Sequence, residues 1–311
     1  DEVIVPAMTH IATAHCVLHT GAKVIFCDID KNTGNINSKL IKKKISSKTK
    51  AIIVVHFVGL PAEMKSIMKI AKLFSLHVIE DCAAALGATY NKKLVGTFSA
   101  AGCFSFYPTK HITTMEGGML ISSSKIFSDR VRRLSSFGYN KTFQERTIPG
   151  IYDIDLLGYN MRMSEVAASI GSEQIKKLSV FLKKRKENAN IIRNILSELK
   201  DIFLLPNAQK NSESSNFCIN VVLKERDFKK RNALILKLKS NNLGTSVHYP
   251  VCIPHSKFYK SQYRENKIIK DSYPIASHFA DSTISLPCGP HLNKSNAKIV
   301  AEKFIKSYKE I

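Results

Sequence analysis

Two kinds of stretch follow one another along the chain: short, uninterrupted apolar runs, and longer segments whose apolar residues recur three and four apart. The runs at residues 2–5, 22–28, 50–57, 77–81, 103–107 and 119–121 read as strands. Their lack of strict alternation is what a parallel strand covered on both faces shows. Residues 11–18 read as a helix, as does the segment that residues 59–61 lead into and that runs through Phe74. In the latter, Met64, Ile67, Met68, Ile70 and Ala71 fall on one side at helical spacing. Residues 30–37 have turn chemistry, with Ser38 as the expected N-cap of a short helix. Pro108 cannot donate to a ladder, so the strand before it must stop. Repeated alternation of strand and helix predicts an α/β fold with a mostly parallel sheet and helices on both faces.

The second half is less regular. A helix is expected over 125–134, ended near Gly138, and residues 139–155, with Pro149-Gly150, carry no period and read as loop. A long helical reach follows over 164–199 with a break near Lys177. From Asp201 on, a smaller α+β domain is expected, with strands at 217–223 and 245–249, a helix at 227–239 and an amphipathic closing helix at 293–308. The chain thus divides into a large domain over 1–163, connecting helices over 164–200 and a small C-terminal domain over 201–311.

Composition narrows the class. A length of 311 residues and a hydrophobic fraction of 44% allow two domains with sizeable cores. No apolar run approaches the roughly 18 residues of a membrane span. The seven cysteines are scattered without C-x-x-C spacing, which points to a reduced, cytoplasmic protein without a disulfide framework or a metal site. The net charge of +22 invites a nucleic-acid reading, but no recognised binding motif accompanies it. The basic residues cluster as Lys42-Lys43-Lys44, Lys183-Lys184-Arg185-Lys186 and Lys229-Lys230-Arg231, and such runs read as solvated helix faces. Attraction of a small anionic substrate is the simpler use of that field.

The chemistry concentrates in two places. Lys110 follows just past the end of the 103–107 strand, where open α/β sheets place their ligands, and Gly117-Gly118 precede the next strand. The strand at 77–81 ends in Glu80-Asp81, followed by small residues and Gly87. A lone lysine is most often only solubilising, and an acid at a strand end often only caps a turn. Together they form a pair with a purpose: pyridoxal phosphate (PLP) chemistry needs a lysine for the Schiff base and a carboxylate for the pyridinium nitrogen.

These residues carry a resemblance. Glu80-Asp81 with Gly87-Ala88, Ser105-Phe106 with Lys110 and Glu116-Gly117-Gly118 resemble the DegT/DnrJ family of PLP-dependent sugar-nucleotide aminotransferases. So do the opening residues 1–7, Thr49-Lys50-Ala51-Ile52 with Val55-His56, residues 158–163 and Val247-His248-Tyr249-Pro250. The resemblance runs in order along nearly the whole chain. It implies the aspartate aminotransferase-like fold (type I), and a family segment with a helix and a Ser-Gly-Thr phosphate loop ahead of Asp1, so that the chain reads as an N-terminally truncated fragment.

The resemblance also assigns roles. Lys110 becomes the Schiff-base lysine and proton carrier, Asp81 the partner of the pyridine nitrogen, and Ser105 a ligand of the cofactor phosphate. His10 stands where the family carries an aromatic residue stacked on the cofactor. Ala84 departs from the family's Gln or His and cannot bond the ring oxygen. Asn160 and Arg162 lie on a loop that crosses a two-fold axis, with Asn160 reaching the neighbour's phosphate, so a homodimer with shared sites is implied. His248 and Tyr249 border the sugar pocket, although the spacing to His255 departs from the pattern. The implied activity is transfer of an amino group from an amino acid, with glutamate the expected donor, to a keto group of a nucleotide-linked deoxysugar. The rivals are a PLP-dependent dehydratase acting on the same sugars, which would carry histidine in place of Lys110, and a basic nucleic-acid-binding protein. Neither nucleic acid nor membrane is expected as a partner.

Overall fold

A computed structural model describes residues 1–206, 210–262 and 272–311. Its centre is a six-stranded sheet built from β1 (Glu2–Pro6), β2 (Lys23–Cys27), β3 (Thr49–Val55), β4 (His77–Asp81), β7 (Ala101–Ser105) and β8 (Gly118–Ile121), in the order β2-β1-β3-β4-β7-β8. All neighbours are parallel except β7 and β8, which pair antiparallel. β3 shows why the sequence folds this way. Its Ile-Ile-Val-Val run is β-branched, and it lies inside the sheet with Val54 packed to one face and Ile53 to the other. Two-residue strands β5 (Thr89–Tyr90), β6 (Lys93–Leu94) and β10 (Ser212–Glu213) make a separate antiparallel ribbon.

One face of the sheet is covered by α3 (Met64–Leu73), whose Met64, Ile67, Ile70 and Ala71 pack with Ile4, Ile52 and Val78. The other face carries α1 (Ile11–Leu18), and there Val5, Phe26 and Ile53 share a core with Cys218, Val222, Tyr259 and Phe279 from the C-terminal region. The short α2 (Ser38–Ile41) precedes α3, and α4 (Lys125–Leu134) and α5 (Glu165–Ile175) follow β8. The N-cap of α2 is Asn37, whose side chain accepts from the Lys39 N–H, and Ser38, the expected cap, is the first helical residue. Asn37 wins because an amide oxygen one residue earlier already satisfies the orphan donor.

The expected break in the long helix falls at Lys177, between α5 and α6 (Leu178–Leu196). The C-terminal sheet has the order β12-β11-β9, from β9 (Ile202–Leu205), β11 (Ile219–Leu223) and β12 (Thr283–Leu286); β9 and β12 went unread in the sequence. Around it stand α7 (Phe228–Ser240), α8 (Lys257–Gln262), α9 (Pro274–Ser282) and α10 (Lys294–Lys309). The two-residue period of β11 divides its side chains between two cores. Ile219, Val221 and Leu223 pack with α6, α7 and α10, whereas Cys218 and Val222 face the large sheet. Asn220, on that second face, is buried and turned toward the segment 246–249.

That segment corrects one expectation. Residues 245–249 form no strand, only an isolated bridge between Ser246 and Ser285. Side chains replace the ladder: Asn220 Nδ2 donates to the His248 carbonyl (3.0 Å), and the His248 N–H donates to Ser285 Oγ (3.1 Å). Backbone groups satisfied this way need no neighbouring strand. The basic runs correct a second. In both helical clusters the lysines are exposed or partly so, but Arg185 and Arg231 are buried.

Candidate active site

A cavity of about 380 Å³ opens at the C-terminal ends of the parallel strands. Its wall is collected strand by strand: Thr9 and His10 after β1, residues 55–58 at the end of β3, Asp81 at the end of β4 with Ala84 just past it, and Ser105 at the end of β7. The chain passes from β1 to β2 on one side and returns to β3 on the other, so the strand order reverses here, which is where open α/β sheets hold ligands. Lys110, Glu116, Gly117 and Tyr249 also line it.

Glu80 and Asp81 are consecutive in β4 and therefore point to opposite faces. Glu80 is fully buried and saturated. Its Oε1 accepts from the Phe98 N–H, the Ser99 N–H and Ser99 Oγ, and its Oε2 from the Gly96 N–H and His56 Nε2. Burial pushes its acidity down, but the His56, Gly96 and Ser99 donors outweigh that and hold its pKa below the usual value. The same loop is locked sterically, since a Cβ on Gly102 of β7 would sit 2.4 Å from the Gly96 carbonyl oxygen. Glu80 is therefore an internal anchor. His56 and Cys82 lie beside it at a separation a metal could bridge, but hydrogen bonds already occupy the Glu80 oxygens and both nitrogens of His56.

Asp81 faces the cavity. Its Oδ1 accepts from the Ala83 N–H (3.0 Å) and its Oδ2 from Thr13 Oγ1 (2.8 Å), while Thr9 Oγ1 stands 3.0 Å from Thr13 Oγ1. Both oxygens receive donors, as an ionised carboxylate requires, and each keeps a lone pair for a ligand. Thr13 was not singled out in the sequence, although a threonine inside the apolar α1, one turn after His10, was the available sign.

Lys110 is held by a turn in which its N–H donates to the Tyr107 carbonyl (2.9 Å). Its ammonium lies 5.0 Å from the centroid of Phe217. Burial pulls its pKa below the ordinary lysine value, partly opposed by Asp81 and Cys218, which places Asp81 within electrostatic reach. Ser105 Oγ accepts from the Tyr107 N–H at 3.3 Å. His10 caps α1, its Nδ1 accepting from the Ala12 N–H, and its ring meets Tyr249 edge-on at 5.9 Å. Burial and Lys110 lower the His10 pKa.

His248 lines a second cavity that shares Lys110 with the first. Its Nδ1 lies 2.9 Å from Ser285 Oγ, and burial, with Lys110 and His10, pushes its pKa down to about 4. The sequence-predicted residues thus divide. Asp81, Lys110, Ser105, His10 and Tyr249 share one cavity and His248 borders the next, but Asn160 and Arg162 are exposed outside both. Asn160 bridges Ser136, and the Arg162 guanidinium lies over Phe137 at 4.9 Å.

This donor set suits PLP. A carboxylate with spare lone pairs and a lysine of lowered basicity share one cavity, and a hydroxyl stands ready for a phosphate. The volume falls within the range of about 300–1,000 Å³ usual for small-ligand pockets.

The model of the DegT/DnrJ/EryC1/StrS aminotransferase family matches residues 1–305. GDP-perosamine synthase of Escherichia coli O157:H7 is 33% identical over 313 residues, covering 100% of this chain and 80% of that protein. UDP-4-amino-4,6-dideoxy-N-acetyl-beta-L-altrosamine transaminase of Campylobacter jejuni subsp. jejuni serotype O:2 is 33% identical over 305 residues, covering 96% of this chain and 77% of that one. Among solved structures, Helicobacter pylori PseC, an aminotransferase involved in the biosynthesis of pseudoaminic acid, superposes with a TM-score of 0.91 at 28% identity. That match covers 100% of this chain and 80% of PseC.

Proposed function

Because the chain belongs to the DegT/DnrJ/EryC1/StrS aminotransferase family and is thereby a PLP-dependent nucleotide-sugar aminotransferase, we propose that Lys110 and Asp81 are its catalytic pair. The amino donor in this reading is glutamate and the acceptor a keto group on a nucleotide-linked deoxysugar. One observation carries it: an amine whose basicity is lowered by burial and a doubly supported carboxylate line the same cavity at the strand ends.

PLP supplies an aldehyde that captures amines and a ring that accepts the electrons released when a proton leaves the substrate carbon. The chain supplies the rest. Lys110, held neutral more easily than a surface lysine, is the nucleophile and then carries the proton at its Nζ. Asp81 keeps a proton on the ring nitrogen by its negative charge, and Thr13 with the Ala83 N–H fixes its orientation. Ser105 offers a hydroxyl to the phosphate, His10 and Tyr249 bound the cavity, and His248 faces the substrate side as a neutral imidazole.

A second copy of the chain fits the same reading. Residues 148–166 leave Ile148, Ile151, Leu157, Met161 and Val166 exposed, Leu157 at 95%, and a dimer interface would cover them. Asn160 and Arg162 lie in that segment, so they would serve the neighbour's site. Among the described residues no helix is long and apolar enough to cross a membrane.

The test is covalent. Borohydride treatment of the protein with PLP should fix the cofactor onto the peptide containing Lys110, and glutamate with a nucleotide-linked keto-sugar should yield 2-oxoglutarate. Retention of both by Lys110→Ala would overturn the assignment.

A further inference from the structure

The second cavity, about 570 Å³, begins at Lys110 and runs between α6, the start of β11 and the segments 244–248 and 285–291. Among the described residues its lining contains no aspartate or glutamate. It does contain Arg185, a guanidinium with 6% of its residue exposed. Arg185 Nη1 donates to the carbonyls of Asn216 (3.2 Å) and Phe217 (2.9 Å), the Cys288 thiol lies beside the guanidinium, and among the described residues its Nε has no hydrogen-bond partner. Among the described residues no carboxylate lies within ion-pair distance of it, in contrast to Lys186 next in sequence, which meets Glu213. Beside it His111, 3% exposed, turns Nε2 to the Ser215 carbonyl, and among the described residues its Nδ1 has no partner. A buried cation is costly unless an anion accompanies it. Among the described residues the fold supplies none.

We propose that this cavity binds the distal carboxylate of a dicarboxylic amino donor, with Arg185 as its counter-charge. The proposal rests on Lys110 being the reaction centre. A donor amine held at Lys110 puts the rest of the donor on the side where the second cavity begins, since the first is bounded by Asp81 and the strand ends. Arg185 lines the second cavity alone, whereas Lys110 lines both, so the guanidinium lies away from Asp81 and the first cavity. A cation in this place suits the far carboxylate, and burial lowers the pKa of His111 and His248, so neither adds a competing charge. Arg185 is thus a binding residue for the donor and takes no part in proton transfer.

The shared chemistry is an oxyanion, and a nucleotide phosphate is the other source of one, so the experiment separates the two. Calorimetric titration of the PLP-loaded, full-length protein with glutarate and with the monocarboxylate butyrate reads the site directly. Arg185→Gln should weaken glutarate at least about tenfold and leave butyrate within about twofold. In turnover, the KM for glutamate should rise while the KM for the nucleotide-linked acceptor stays. A rise confined to the acceptor would overturn the donor assignment. Arg185 also holds two backbone carbonyls, so Arg185→Lys, which keeps the charge and drops those bonds, should bind glutarate within a few-fold of the native protein. A loss as full as that of R185Q would mean that anchoring matters and charge does not. Should both variants misfold, the native protein still decides: it must prefer glutarate to glutaramate by at least about tenfold, and equal affinity refutes the site. Fixation of PLP on Lys110 is read independently, so failure here leaves the aminotransferase reading standing.

Discussion

Adjacent carboxylates with opposite duties give a decisive pair of substitutions. In Glu80→Gln, the amide nitrogen is accommodated at least cost in place of Oε2, where it meets two donors, the Gly96 N–H and His56 Nε2. His56 cannot turn acceptor, because its Nδ1 already accepts from the Ala62 N–H at 3.0 Å. Two bonds to a charged acceptor are lost, at about 1.5–3 kcal/mol each, so the variant should be about 3–6 kcal/mol less stable. For a chain of 311 residues that lowers Tm by about 5–9 °C. Asp81→Asn behaves differently. One oxygen still accepts from the Ala83 N–H, and the Thr13 hydroxyl can rotate to accept from the new amide, so stability should fall by less than about 1 kcal/mol. The charge at the ring nitrogen disappears, however. A unit charge at about 3 Å in an effective dielectric of about 20 is worth about 5 kcal/mol, or three to four orders of magnitude in rate. Urea unfolding and transamination rates on both variants check the split. The acid limb adds a sign. The folded pKa of Glu80 lies below its unfolded value, so its stabilisation is complete above about pH 4.3 and disappears as pH falls through the folded pKa. The gap between native protein and E80Q should therefore close in acid. An E80Q protein as stable as the native one, or a D81N protein less stable than E80Q, would refute the division of roles.

Two further outcomes follow from the same cavity. Lys110 has a folded pKa below its unfolded one, so it penalises folding at neutral pH and ceases to do so above about pH 10.4; Lys110→Met without cofactor should melt above the native protein at pH 7, and a lower Tm would contradict this. Thr13→Val removes the 2.8 Å bond that orients Asp81 and should lower kcat by about tenfold with KM unchanged, with Thr13→Ser restoring it; an unchanged kcat in Thr13→Val would show that the Ala83 N–H alone orients the carboxylate.

What could be read from the sequence was what is local. The β3 and β4 runs specify buried parallel strands by composition alone, and a lysine or carboxylate at a strand end keeps its meaning wherever the strand sits. The failures have long-range causes. Residues 245–249 look like a strand because Val247 and Tyr249 are good strand residues, yet Asn220 and Ser285, from β11 and β12, satisfy the backbone of His248 instead. No pattern within five residues announces two side chains distant in sequence. Glu80 was readable as a carboxylate but not as an anchor, because its donors come from the loop at 96–99.

Arg185 is the instructive case, because its signal was present and a stronger one hid it. Within Lys183-Lys184-Arg185-Lys186 four basic residues in a row look like one solvated face. A helix turns by about 100° per residue, so four consecutive positions cannot share a face. Extending the stripe settles which one turns inward: Arg185, Asn188, Ala189, Ile192 and Leu196 follow the three- and four-residue spacing of the buried side of α6. Arg231, Leu234 and Leu238 do the same in α7. In both helices the inward member is an arginine, the residue whose planar fork can serve backbone carbonyls while keeping its charge. At Arg231 the fork reaches the start of β12 and the role ends in packing; at Arg185 it borders the cavity that begins at Lys110, and the charge is left for a ligand to answer.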